Sequence, residues 1–330
     1  MKPSTLTKVL TTCIQHNEPV LLKGAPGVGK TSIVRQIAES LKMDFITVIP
    51  AISDPTDGKG VPGKNGDGKW EWHLIGDARR IVEAKKPTVV ILDDLGQAAA
   101  MVQAAYMQWI LLRRIGEHPI PDCVTILAAT NRKEDRAGVT TILECVKSRF
   151  ITILELTPDE MDWVAWALDN GMPTEIIGFA HFRWSIIHQY KAVVDIVNGP
   201  CPRTLANAGR LIKMGLDDSE TLSGAVGEGC AAELVGFLKY YKQIPNLSAI
   251  LLEPDEAIVP EEPAALYAVV SGLVEKVAPK NFERILRYGN RLPTEFSVLL
   301  VRDCIRKEPN IQHTKAFTDW VVHHKNVLIA

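Results

Sequence analysis

Only six cysteines occur in the 330 residues, Cys13, Cys123, Cys145, Cys201, Cys230 and Cys304. None are spaced as CxxC or as zinc ligands, so the sequence is neither a disulfide scaffold nor a cysteine-held metal module, and reduced thiols are expected. Long apolar runs are missing too. No stretch approaches the roughly eighteen residues of a membrane span, and MKPSTLTKVL at the N-terminus has no apolar signal core. A soluble, cytoplasmic protein is expected. Charge of one sign is also lacking: 37 Lys and Arg stand against 39 Asp and Glu, a formal charge of −2. No global field therefore favours nucleic acid or an anionic membrane, although a local basic surface is still open. Internal repeats and low-complexity segments are absent. The sequence is 46 % apolar and 23 % charged, ordinary for a globular protein and long enough for two or three domains.

One stretch organises the rest. Gly24-Ala25-Pro26-Gly27-Val28-Gly29-Lys30-Thr31 matches G-x-x-x-x-G-K-[ST] at each fixed position. Val20 to Lys23 reads as a strand before it, and Ile33, Val34, Ile37, Ala38 and Leu41 as a helix after it. In that context Gly24, Gly27 and Gly29 let successive N–H groups turn toward phosphate oxygens, and the helix adds its positive end. Residues Gly24 to Thr31, with Ser32, are thus expected to bind a nucleoside triphosphate. Lys30 is expected on the β- and γ-phosphates, and the Thr31 hydroxyl on Mg²⁺.

A helix over residues 4–16 is predicted ahead of this loop, and a β-branched strand at Asp44 to Ile49 after it. Residues 54–73 are rich in Gly, Pro and Asp, and Asn65-Gly66-Asp67-Gly68 predicts a hairpin turn. Trp70 and Trp72 share one face of the returning strand, either covering the core edge or touching a partner. Thr88 to Leu92 reads as a buried strand running into Asp93 and Asp94. Asp93 fits the Mg²⁺-holding position, and Asp94 the place of a carboxylate that orients the attacking water. Ala98, Val102, Ala105, Trp109 and Leu112 form a helical core stripe, with Met101 and Met107 assigned to the core. Cys123 to Ala129 is another buried strand, and Asn131 at its end could reach the γ-phosphate or the water. Arg149 in Val146-Lys147-Ser148-Arg149-Phe150 could pair within its own chain or face a neighbour's phosphate. From Thr157, a capping box, the pattern is helical, with breaks at 171–173, 198–200, 244–246 and 253–263. Arg203 falls in the first turn of a helix opened by Cys201-Pro202. His181, His188, His323 and His324 read as structural or surface residues, lacking partners at ligand spacing.

The succession of GAPGVGKT, Asp93-Asp94, Asn131, Arg149 and Arg203 resembles the AAA+ ATPases. DPTDGKG, VVILDDLGQA, ILAATNRKEDRAG, KSRF and CPRTLANAGR resemble the MoxR-like branch in particular. The resemblance covers nearly the whole chain. It implies a P-loop α/β domain of strand order 5-1-4-3-2 over residues 1–156 with a hairpin insert near 54–73. A helical lid over 157–245 and a helical extension over 246–330 would follow. It implies ATP and Mg²⁺, with Asp93 the metal residue, Asn131 sensor 1, Arg149 a trans-acting finger and Arg203 sensor 2. It also implies a homo-oligomeric, hexameric ring acting with a von Willebrand factor A-domain protein to remodel a client protein. A nucleic-acid-directed motor and a slowly hydrolysing assembly protein are the alternatives. Arg113, Arg114, Arg132 and Arg136 are rivals for the finger. The sequence departs from the family at Asp94, where Glu is usual, and at Gly96, where Asn is commoner. Judged by reach alone, Asp94 implies slow hydrolysis that a Glu would speed.

Overall fold

A computed structural model of the chain describes residues 1–135, 142–187, 196–244 and 246–323. They gather in two compact units, one over residues 1–159 and one from residue 160 onward.

The first unit is built on β1 (Val20–Lys23), β2 (Asp44–Val48), β3 (Thr88–Leu92), β4 (Val124–Thr130) and β5 (Thr152–Glu155). All pairings are parallel and the spatial order is β2-β3-β4-β1-β5, which is 5-1-4-3-2 read from the other edge. The central strands are apolar on both faces because helices cover both sides. Val20, Leu22, Val89, Ile91 and Leu127 pack against Leu6 and Leu10 of α1 (Pro3–Gln15) and Val34 and Ile37 of α2 (Lys30–Ser40). The alternate residues Leu21, Val90, Leu92 and Ile126 face Tyr106 and Trp109 on the opposite side. The result is a three-layer P-loop α/β domain. The register places Lys23 beside Thr130, and Leu92 beside Ala128. The C-terminal ends of β1, β3 and β4 therefore meet at one edge, where open parallel sheets hold ligands.

Between β2 and β3 lie α3 (Pro55–Lys59), a hairpin of Val61–Lys64 with Trp70–His73, and α4 (Gly76–Val82). The Asn65 carboxamide accepts from the N–H groups of Asp67 and Lys69, both at 3.0 Å, closing the turn. Trp70 is 71 % exposed and Trp72 37 %, so the indoles do not cover the core edge.

Next comes α5 (Ala100–Leu112), whose buried face differs from the expected stripe. Val102, Ala105 and Trp109 are buried, but Leu112 is 57 % exposed and Met101 72 %, and Ala98 precedes the helix. The helix turns Gln103 and Tyr106 inward instead. Gln103 is accommodated because its amide donates to Ala98 O at 3.0 Å and its carbonyl accepts from Leu143 N at 3.1 Å. A short helix, α6 (Glu144–Lys147), leads into β5.

The second unit is helical among the described residues. It contains α7 (Glu160–Asp169), α8 (Thr174–Ile187), α9 (Pro202–Lys213), α10 (Ser219–Val226), α11 (Glu228–Gln243) and α12 (Leu247–Leu252). Then follow α13 (Pro263–Glu275), α14 (Phe282–Gly289), α15 (Thr294–Lys307) and α16 (Lys315–His323). One hydrophobic core runs through it, from Trp163 and Phe179 to Phe237, Phe282 and Leu300. Within that core His181 is the exception. Its Nδ1 lies 2.7 Å from Glu160 Oε1 and its Nε2 2.8 Å from Asp303 Oδ2. It is structural, as expected, but it gains two carboxylates that lie 21 and 122 residues away. His188 and His324 lie outside the described residues. α7 starts at Glu160, two residues later than a capping box at Thr157 would set it; Thr157 N is instead bonded to Met1 O at 2.9 Å. No helix among the described residues is long and apolar enough to cross a membrane.

Candidate nucleotide-binding site

The loop from Gly24 to Gly29 joins β1 to α2 at the shared strand edge. Two glycines in it have different physical reasons. Gly29, the N-cap of α2, has φ +101° and only open space where a Cβ would stand. That backbone is left-handed, so the conformation rather than crowding favours glycine here. Gly24 is fixed by crowding: a Cβ there would come within 2.9 Å of Leu156 O. No side chain caps α2, so its first N–H groups are turned to the loop without a side-chain acceptor.

Lys30 is only 7 % exposed. Its ammonium donates to Gly24 O at 2.9 Å, Ala25 O at 3.1 Å and Asn131 Oδ1 at 2.7 Å. An ammonium held against the carbonyls of this loop stands where an anionic ligand would be received. Beside it the Thr31 hydroxyl donates to Asp93 Oδ2 at 2.6 Å. A hydroxyl and a carboxylate form an all-oxygen pair, the donor type that Mg²⁺ prefers. The residues present thus fit both a nucleoside triphosphate and Mg²⁺.

Asp93 directly follows β3, and its N–H donates to Val48 O at 2.8 Å. Asp94 then adopts left-handed backbone angles, φ +55° and ψ +34°. Such a conformation is uncommon for a non-glycine residue, and Asp tolerates it better than most. Its Oδ1 accepts from Gln97 Nε2 at 2.7 Å and from Asn131 Nδ2 at 3.2 Å. Asn131 therefore bridges Lys30 and Asp94, one end of its carboxamide on each. Lys30, Thr31, Asp93, Asp94 and Asn131, chosen from the sequence at distant positions, converge in one hydrogen-bonded cluster.

The arginines separate by their contacts. Arg132 grips Asp135 with Nε at 3.0 Å and a terminal nitrogen at 2.8 Å, and reaches Glu155 at 3.5 Å. Glu155 also pairs with Lys23 at 2.9 Å. The Lys23 hydrogen bond, with Arg132 assisting, holds the Glu155 carboxyl below the usual carboxylate range. This clamp joins the ends of β1 and β5 to the segment after β4. The sequence reading missed it, and only the Arg132–Asp135 spacing hinted at it. Arg113 donates to Pro121 O at 2.7 Å and Val124 O at 2.8 Å. Arg114 bonds Glu117 O within its own turn. Arg136 lies outside the described residues. Arg149 is exposed, and its guanidinium meets no acceptor among the described residues. Arg203 is exposed in the first turn of α9 and belongs to the second unit.

Residues 20–155 match the family model described as "ATPase family associated with various cellular activities (AAA)". The matched residues are those that carry the cluster, so this part of the chain is similar to the AAA ATPase domains. Among curated proteins it is similar to Midasin of Giardia intestinalis, 24 % identical over 193 residues. That match takes in 54 % of this chain and 4 % of the relative's own length. Among solved structures it is similar to a RuvB variant of Thermotoga maritima, at 16 % identity and TM-score 0.43, covering 82 % of this chain and 80 % of the other. It is also similar to NtrX of Brucella abortus in complex with ADP, at 14 % identity and TM-score 0.44, covering 98 % and 67 %.

Proposed function

We propose that this chain is a MoxR-like AAA+ ATPase that hydrolyses Mg²⁺-ATP in a homo-oligomeric ring and uses the cycle to remodel or activate a protein partner in the cytoplasm. The observation that carries the reading is the single cluster of Lys30, Thr31, Asp93, Asp94 and Asn131 at the C-terminal strand ends.

Each side chain has a role that follows from its charge and place. Lys30, a buried ammonium beside the loop carbonyls, neutralises the β- and γ-phosphates. Thr31 and Asp93 would hold Mg²⁺, which when bound would neutralise part of the phosphate charge. Asp94 accepts a hydrogen bond from the attacking water, and Asn131 fixes both Asp94 and the γ-phosphate end of the site. Arg149 serves the site of a neighbouring copy, and Arg203 is assigned to sensor 2 by the MoxR-like reading. A hexamer, a von Willebrand factor A-domain partner, and the division of the helical region into a lid (157–245) and an extension (246–330) come with the MoxR-like reading.

The test of the site is Lys30→Ala. Because Lys30 supplies the loop's own side-chain cation, the folded variant is expected to lose tight ATP binding in equilibrium titrations. Affinity like that of the unsubstituted protein would remove the assignment. Capture of native partners by the tagged chain addresses the remodelling role; a von Willebrand factor A-domain protein is the expected partner.

A further inference from the structure

The carboxylate of Asp94 is tethered on one oxygen. Gln97 and Asn131 both donate to Oδ1, at 2.7 and 3.2 Å, while Oδ2 accepts no hydrogen bond among the described residues. The two tethers differ. The Asn131 carboxamide also accepts from Lys30 Nζ at 2.7 Å, so its hold on Asp94 is coupled to the ammonium that must serve the phosphates. Among the described residues, the hydrogen bonds Gln97 makes go to Asp94 alone. Its backbone N–H donates to Asp94 O at 3.0 Å in the turn Leu95–Gln97 that springs from the left-handed Asp94. Its side-chain Oε1 is buried and meets no donor among the described residues. Turning the amide over would set that oxygen against a carboxylate, so the orientation is fixed by Asp94.

We propose that Gln97 is a positioning residue for hydrolysis. It holds Oδ1 of a carboxylate one methylene shorter than Glu, and so leaves Oδ2 as the oxygen that accepts from the attacking water. The proposal rests on the reading of Asp94 as the water-orienting group. It makes the Asp94–Gln97 pair, rather than Asp94 alone, the unit that stands in for a longer side chain.

The experiment uses the full chain with Gln97→Met, which keeps size and removes the donor, and Gln97→Glu, which keeps shape and replaces the donor by an acceptor. Each is combined with Asp94→Asn. Fluorescent mant-ATP affinity should stay within about twofold, while single-turnover ATP hydrolysis falls roughly 10- to 100-fold, the scale of a displaced catalytic group. In the Asp94→Asn background neither Gln97 change should slow hydrolysis further. Urea unfolding of the nucleotide-free protein should show the same coupling, the double variants being less destabilised than the sum of the singles. Unsubstituted rates in both Gln97 variants, with Asp94→Asn slow, would overturn the proposal and leave the reading of Asp94 intact. An equal slowing by Gln97 changes with and without the Asp94 carboxylate would overturn it too. Undiminished hydrolysis in Asp94→Asn would overturn both.

Discussion

At the scale of a residue, Asp94 concentrates the chemistry and the strain. Its φ of +55° belongs to the small left-handed region, where Asp is several-fold enriched and Glu is not. Two amides converge on its Oδ1 at separations fitted to a short side chain. By reach alone, Asp94→Glu would speed turnover. The backbone and the tethers lead to the opposite expectation: a Glu would strain the left-handed position and push its carboxylate past both amides. We therefore expect single-turnover hydrolysis to slow in Asp94→Glu. Asp94→Asn keeps size and removes the negative acceptor, so ATP should still bind while hydrolysis falls by roughly 100-fold or more. Unchanged rates in both variants would mean that the catalytic carboxylate is another residue. A faster Asp94→Glu enzyme would show that the left-handed turn yields easily.

At the scale of elements, His181 ties three helices of the second unit together, α8 through itself, α7 through Glu160 and α15 through Asp303. Tyr267 of α13 stacks on its ring at 6.3 Å, and Arg302 donates to the other oxygen of Asp303 at 3.1 Å. Burial pulls its pKa down, but the hydrogen bonds its ring makes to Asp303 and Glu160, with their negative charge, outweigh burial and raise it above the ordinary value. The folded state therefore holds this proton more tightly than the unfolded chain, whose histidine titrates near about 6.5. The contribution to stability is complete below that pH and is lost as pH rises through the folded value. Denaturant midpoints of the second unit should fall with rising pH across that window, and His181→Gln should flatten this slope. Loss of the cation from beside the buried Asp303 should also cost about 3–5 kcal/mol. A slope unchanged in His181→Gln would remove His181 as its source. None of this was legible beforehand, because partners 21 and 122 residues away leave no local spacing to detect. The opposite holds for the sheet. Val20–Lys23, Thr88–Leu92 and Val124–Thr130 are short apolar runs ended by polar residues, and buried parallel strands impose that pattern locally. Lys30, Asp93 and Asn131 were legible because each follows such a strand. Gln97 and the Lys23–Glu155–Arg132–Asp135 clamp were not, since turn geometry and cross-strand pairing decide them. The exposure of Met101 was missed for a related reason: α5 is apolar nearly all round, so its sequence does not say which side faces inward.

At the scale of the whole molecule, the sheet separates Arg149 from the phosphate loop of its own chain. β5 runs parallel to β1, pairing Val20 with Thr152 and Lys23 with Glu155. The loop leaves the C-terminal end of β1, whereas Arg149 precedes the N-terminal end of β5, where Ile151 N donates to Pro19 O at 2.9 Å. The four residues of β1 put about 13 Å of strand between those ends. Arg132, Arg113 and Arg114 are committed to acceptors in their own domain, and Arg149 is not. An exposed guanidinium at that end suits the γ-phosphate of a neighbouring copy, where it would make hydrolysis depend on assembly. The direct test mixes two inactive proteins, Arg149→Ala and Lys30→Ala, carrying different affinity tags so that mixed assemblies can be isolated. An interface between an Arg149→Ala subunit that keeps Lys30 and a Lys30→Ala subunit that keeps Arg149 has both residues intact. Mixed assemblies should therefore regain part of the ATPase rate that neither variant shows alone. Mixed assemblies that form and stay inactive at every ratio would contradict a site completed between subunits.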